Sequence, residues 1–206
     1  MQFKWIAALA AAGNLCLWQP VLAQSEGGSA EAGQAKSGTC VACHGVDGNS
    51  VNPEWPSIAG QHAEYIARQL QAFKSGARSN VLMSPMAAPL SDEDIRDLAA
   101  YYAAQRPRGL EADPSQVALG QRLYRGGDLS SELTACIACH GPSGSGNPAA
   151  LYPSIKGQHA TYTAAQLHAY KRGERATDQN QMMRLVAQAL TDEQIRALAS
   201  YIQGLR

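Results

Sequence analysis

Apolar residues recur through this chain at the spacing of a helix face. Ile95, Leu98, Ala99 and Tyr102 fall at i, i+3, i+4 and i+7, and Ile195, Leu198, Ala199 and Ile202 repeat that spacing near the C-terminus. Each set lines one side of an α-helix. Ser91 with Asp94, and Thr191 with Gln194, stand three residues apart just ahead of these faces, the arrangement of a capping box at a helix start. A further helix is expected from about Ala63 to Lys74, ending at Gly76, and a counterpart from about Ala160 to Arg172, ending at Gly173. Alternating strand patterns are absent, so the expected fold class is all-α.

The same elements occur twice because the chain repeats itself at an interval of about 96–100 residues. Cys40-Val-Ala-Cys-His44 matches Cys136-Ile-Ala-Cys-His140, and Pro56-Ser-Ile-Ala-Gly-Gln-His62 matches Pro153-Ser-Ile-Lys-Gly-Gln-His159. Tyr65, Gln69 and Leu70 match Tyr162, Gln166 and Leu167, and the segment from Leu90 to Ile95 matches that from Leu190 to Ile195. The interval is far longer than that of solenoid repeats. Two tandem domains are expected, 24–108 and 109–206, joined near Arg106-Pro107-Arg108-Gly109. Each has fewer than 100 residues, so a bound cofactor must supply part of its core.

The N-terminus has a separate logic. Lys4 precedes an apolar run from Ile6 to Leu17, and Val21-Leu22-Ala23 supplies a small-residue cleavage site. Residues 1–23 are therefore expected to be a signal peptide. Asn14, Gln19 and Pro20 break the run short of the roughly 18 residues that a spanning helix needs. Cys16 lies in this leader, and the Gly-Asn-Leu before it matches a lipoprotein cleavage box poorly. The remaining cysteines, Cys40, Cys43, Cys136 and Cys139, all belong to the two identical motifs. None is left for the structural disulfides that an exported chain would otherwise suggest. Charge is nearly balanced in both halves, with 7 basic and 9 acidic residues in 24–108 and 9 and 8 in 109–206. Neither half has the dense basic patch that nucleic-acid binding requires.

Cys-x-x-Cys-His is the attachment pattern of c-type haem. Each thiol adds across a vinyl group, and the adjacent histidine is held beneath the iron as an axial ligand. A thioredoxin-like redox pair shares the Cys-x-x-Cys spacing but belongs in a βαβ setting, which is missing here. A zinc site would need the four cysteines to converge from separate copies. Cys40, Cys43, Cys136 and Cys139 are thus the candidate attachment residues, with His44 and His140 the candidate proximal ligands.

The sixth ligand separates electron transfer from chemistry at an open iron. Past the leader there are four methionines, Met83, Met86, Met182 and Met183. Counting back from Leu90 and Leu190 pairs Met83 with Met183, while Met86 aligns with Val186 and Met182 with Leu82. Met83 and Met183 are therefore the candidate ligands, and Met86 and Met182 are read as flexible fillers. His62 and His159 also match across the repeat and are the rival ligands; the alternative role is a surface or helix-start residue. His168 aligns with Gln71 and is expected to face solvent. The matched tyrosines are read as packing residues, while Arg78 and Arg175 are candidate partners for haem carboxylates.

With its paired motifs, its leader, and the segments Cys43-His-Gly-Val-Asp-Gly-Asn49 and Gly126-Gly-Asp128, the chain resembles cytochrome c4. That family consists of dihaem class I cytochromes c of the Gram-negative periplasm, and the resemblance runs from Ala32 to Arg206. It implies two class I cytochrome c domains with two covalently attached haem c groups. His44 and Met83 would bind the first iron, and His140 and Met183 the second. The Pro56 and Pro153 carbonyls would accept from the proximal imidazoles. The implied role is a periplasmic electron carrier, not an enzyme, with no small-molecule substrate. It would take electrons from a cytochrome bc1-type donor and pass them to a terminal oxidase; peripheral membrane association is compatible with this. The alternative is a dihaem electron-accepting subunit of a periplasmic dehydrogenase. A dihaem peroxidase or thiosulfate dehydrogenase would need an open iron or a cysteine ligand. One departure stands out: Cys136 follows Gln121 by fifteen positions, against six from Gln34 to Cys40. The extra residues are expected to form a loop near the second haem.

Overall fold

The computed structural model describes residues 27–206; the expected signal peptide, with Cys16, lies outside the described residues. The first half contains α1 (Ala30–Lys36), α2 (Gly38–His44), α3 (Ala63–Ser75), α4 (Met83–Ala87) and α5 (Asp92–Ala103). The second contains α6 (Pro114–Gly126), α7 (Ile137–His140), α8 (Ala160–Lys171), α9 (Met182–Gln188) and α10 (Asp192–Gly204). Among the described residues there is no strand, only two isolated bridges, Asp128 with Leu133 and Asn147 with Tyr152.

Both expected capping boxes form. Asp94 N donates to Ser91 Oγ at 3.1 Å and Ser91 N to Asp94 Oδ2 at 2.9 Å. Gln194 N donates to Thr191 Oγ1 at 3.2 Å and Thr191 N to Gln194 Oε1 at 2.9 Å. These bonds satisfy amides that the first helical turn leaves without partners. The faces behind them are buried, Ile95 included, with Leu98, Ala99 and Tyr102 in one core and Ile195, Leu198 and Ile202 in the other. α3 closes at Gly76 with φ +78°. α8 closes one residue earlier than expected, with Arg172 as its last cap.

In each half the first helix crosses the last at very short range. A Cβ on Gly33 of α1 would lie 2.0 Å from the Asp97 carbonyl oxygen of α5, and one on Gly120 of α6 would lie 2.3 Å from that of Ala197 on α10. The extra residues before Cys136 are only partly a loop. Some of them extend α6, which runs six residues past Gly120 to Gly126, against three from Gly33 to the end of α1 at Lys36. The rest form a turn that Asp128 and Leu133 close with bonds of 3.0 and 2.9 Å. That turn buries Leu133 in the second core.

The halves also differ in polarity. Asp97 Oδ2 accepts from Lys36 Nζ at 2.6 Å and its Oδ1 accepts from Ser29 N at 2.7 Å, while Lys36 also reaches Asp94 at 2.8 Å. The Lys36 ammonium holds both carboxyls below the usual carboxylate range. A carboxyl depressed on folding stabilises above its unfolded value of about 4 and loses that contribution as pH falls below it. In the second half Ala197 occupies the place of Asp97. The thermal midpoint of the first half is therefore expected to fall as these two carboxyls are protonated, between about pH 5 and pH 2. Asp97→Asn should flatten that slope, measured by calorimetry across the pH series. Equal slopes in the two proteins would count against this role.

The halves meet through exchanged, equivalent bonds. Gln61 Nε2 donates to Ser154 O at 2.7 Å and Gln61 Oε1 accepts from Ser154 N at 3.0 Å. Gln158 makes the same pair with Ser57, at 2.8 and 3.0 Å. This is the pattern of an isologous, two-fold interface inside one chain. The link itself divides its loyalties: Arg106 and Arg108 bond to Asn49, whereas Glu111 and Asp113 bond to Gln203 and Ser200.

Candidate functional site

α2 presents Cys40, Cys43 and His44 within its last turn and a half. In an α-helix, residues three and four apart share a face, so the two thiols and the imidazole point into one space. α7 does the same for Cys139 and His140, with Cys136 as its first cap. None of the four cysteines forms a disulfide. Burial pushes the Cys136 thiol up to about 11, which keeps it a neutral thiol and disfavours thiolate chemistry.

The histidines are buried, 7% exposed at His44 and 8% at His140. Their Nδ1 atoms lie 2.8 Å from Pro56 O and 2.9 Å from Pro153 O. A carbonyl only accepts, so Nδ1 carries the proton and donates, leaving the Nε2 lone pair free. Burial lowers the pKa of both rings, with the carbonyl bond opposing it. Each ring is thus neutral and locked in one tautomer, as an axial ligand must be. This agrees with the expectation for Pro56 and Pro153.

A cavity of about 570 Å³ runs across both halves and is bordered by both motifs. Its walls are mainly apolar and again matched, with Ile58 and Ile155, Leu70 and Leu167, and Leu98 and Leu198. Met83 and Met183 both border it, so the structure brings each candidate thioether into the same cavity as its histidine. Met86 and Met182 border it as well. Met86 is 51% exposed, and Met182 accepts a long contact from Tyr152 Oη at 3.9 Å. Met183, by contrast, packs against the second core.

The two methionine segments are built differently. Asn80 Oδ1 accepts from Leu82 N and Met83 N, both at 2.9 Å, and so starts α4. Before α9, Asn180 and Gln181 take left-handed φ values of +50° and +60°, an uncommon conformation for residues other than glycine. Asp178 braces this turn through Arg184 N and Nε at 3.0 and 2.8 Å.

Neither rival histidine borders the cavity. His62 and His159 precede α3 and α8 as caps, yet neither is a surface residue. His62 Nε2 lies 2.9 Å from Ser145 O, and His159 Nε2 lies 2.9 Å from Ser50 O, each in the opposite half. His168 is partly exposed, its side chain 32% accessible, and lies 3.9 Å from the exposed Asp192. Gln61, Gln158, Gln69 and Gln166 were given no role from sequence, although all four form the joint. Their identity across the repeat was the available signal.

Two thiols, a neutral imidazole with its free lone pair and a thioether, gathered at one apolar cavity, fit a covalently attached haem in each half. The family model for cytochrome c matches residues 30–104 and again 117–206. A cytochrome c4 from Thiocapsa roseopersicina is 47% identical over 86% of this chain and 93% of its own length. The crystal structure of reduced cytochrome c4 from Pseudomonas stutzeri superposes with a TM-score of 0.85 at 46% identity, covering 87% of this chain and 100% of that one. A thiosulfate dehydrogenase electron acceptor from Thiomonas intermedia is 40% identical over 81% of this chain and 78% of its own length.

Proposed function

The chain belongs to the cytochrome c family, among the dihaem cytochromes c4, and from that premise we propose that it carries electrons through the periplasm from a bc1-type complex to a terminal oxidase. It has two covalently attached haem c groups and serves electron transfer. Cys40 and Cys43 would hold the first haem, with His44 and Met83 as its axial ligands. Cys136 and Cys139 would hold the second, with His140 and Met183. A bound haem supplies a one-electron iron couple at each site.

The observation that carries this reading is the meeting, twice over, of a locked neutral histidine and a methionine at one apolar cavity. Pro56 and Pro153 fix the rings through Nδ1–H, so each imidazole keeps its orientation and its basicity. The apolar walls restrict water at the site, which favours the less charged reduced state. The thioether of Met83 or Met183 would support the same state and would occupy a coordination position that a substrate needs. Residues 1–23, read as an export leader, support the periplasmic location.

An optical redox titration of the purified protein, followed by mixing with bc1 complex and with oxidase, tests this. Reduction by the one and oxidation by the other, both faster than direct exchange between them, is the expected result. Rapid peroxide turnover, or no acceleration with either complex, would count against a carrier.

The likeness to the Thiomonas electron acceptor supports a second reading, in which a thiosulfate-oxidising dehydrogenase is the donor. Reduction by such an enzyme with thiosulfate, combined with a stoichiometric partner on mild purification, would favour it.

A further inference from the structure

Two guanidiniums meet inside the joint and no carboxylate meets them there. Arg78 is 9% exposed and Arg175 5%, at matched positions after α3 and α8. Arg78 Nη1 donates to Gln69 Oε1 of its own half at 2.7 Å, and its Nη2 to Tyr162 Oη at 3.1 Å and Gln166 Oε1 at 2.7 Å in the other. Arg175 returns the pattern, with Nη1 to Gln166 Oε1 at 2.8 Å and Nη2 to Tyr65 Oη at 2.7 Å and Gln69 Oε1 at 3.1 Å. The guanidiniums lie over the Phe73 and Tyr170 rings, at 4.6 and 4.7 Å from the centroids. None of these partners is a carboxylate; against the cost of burial, the two guanidiniums lower the pKa of the Tyr162 hydroxyl. Arg175 Nε is buried and has no acceptor at all.

Two buried like charges that share two amide oxygens are expensive unless an anion compensates them. Among the described residues none lies at this place. Asp178 and Glu174, the nearby acids, are paired with Arg184 at 2.8 Å and Arg172 at 2.6 Å. Glu54 is exposed on the cavity rim, where Arg68 adds a further positive charge. The remaining titratable neighbours are Tyr65, Tyr162 and Tyr170. Both arginines border the cavity that the two motifs share, and a haem carries two carboxylates.

We propose that Arg78 and Arg175 form one shared counter-ion for the haem carboxylates of both halves, so that each haem is tuned by an arginine of the opposite half as well as its own. This rests on the haems lying at the two Cys-x-x-Cys-His motifs. A guanidinium beside a carboxylate keeps it ionised. The pair of positive charges also favours the ferrous state, which carries one charge fewer.

Optical redox titrations of holoprotein between pH 5 and pH 8 test this in wild type, Arg78→Gln, Arg175→Gln and Gln166→Glu. The glutamate variant keeps both arginines but places a carboxylate against the two of them. Haem content and the near-infrared band are recorded on the same samples. In all three variants both midpoints are expected to fall, by about a tenfold loss in the reduction constant or ~59 mV for one electron. In the arginine variants the acid-side rise of the midpoint, where a haem carboxylate takes up its proton, should begin about one pH unit or more above its wild-type position. Arg78→Lys, which keeps the charge, should restore the wild-type pH profile; a purely structural joint would give no such rescue.

Unchanged midpoints and pH profiles in variants that hold both haems would overturn the proposal. So would a shift confined to the arginine's own half. If an arginine variant fails to take up haem, Gln166→Glu decides alone. Absence of two haems or of the near-infrared band in wild type would instead sink the haem-site reading.

Discussion

Met183→Ala is expected to abolish the near-infrared band of the second haem and leave that of the first, and Met83→Ala to do the reverse. The thioether sulfur is a soft ligand that stabilises ferrous iron, and axial ligands as a class command a range of about 0.8 V in potential. Loss of the sulfur should lower the affected midpoint by on the order of 0.1–0.3 V, a fraction of that range. It should also open the iron to cyanide or carbon monoxide. Met86→Ala and Met182→Ala test the choice directly, because those residues border the same cavity. Both should retain two bands. Tyr152, which contacts the Met182 sulfur at 3.9 Å, gives Met182 a place away from an axial role. A band lost in Met182→Ala and kept in Met183→Ala would move the ligand by one residue. Optical titration and near-infrared spectra of the four variants are sufficient.

The second large effect is steric. Gly33→Ala and Gly120→Ala should each destabilise their half severely, although alanine is the better helix former by about 1 kcal/mol. The new methyl would stand 2.0 Å from the Asp97 carbonyl oxygen in the first case and 2.3 Å from that of Ala197 in the second. Both obstacles are helix backbone, which cannot swing aside as a side chain can. The helices must separate, and overpacking of this kind costs about 1–3 kcal/mol, sometimes more. For a domain of this size each kcal/mol lowers the thermal midpoint by roughly 4–8 °C. Gly126→Ala is the control, with nothing near its added methyl; it should leave the midpoint unchanged or raise it slightly. Thermal unfolding of the three holoproteins checks the pair against the control. An undisturbed midpoint in Gly120→Ala would show that α6 and α10 can slide.

The helices and their caps were readable because their causes are local. Ser91, Asp94, Thr191 and Gln194 signal a helix start within four residues, and Ile95 to Tyr102 signals a buried face within two turns. The candidate haem residues were readable for the same reason, since the motif compresses two thiols and an imidazole into five consecutive residues. Contacts between distant segments were not. His62 and His159 match so well across the repeat that they competed for the iron. Their actual partners are carbonyls in the opposite half, which no local pattern announces. The extra residues before Cys136 read as a loop because they have no counterpart in the first copy, yet a longer α6 and the burial of Leu133 absorb part of the insertion. Gln69 and Gln166 carried no chemical signal of their own, and only the fold gives their amides something to hold.

Exchanged bonding across the joint also bears on how such a chain diverges after duplication. Gln61 holds Ser154 while Gln158 holds Ser57, and Arg78 and Arg175 use each other's glutamines. A substitution in either copy therefore leaves an orphaned partner in its twin, and neither copy can drift there alone. Elsewhere each half answers only to itself, free to acquire an aspartate where the other keeps an alanine, or an insertion where the other has none. The stretch from Pro56 to His62 has stayed almost letter for letter the same as that from Pro153 to His159. Mutual dependence is sufficient to keep it so.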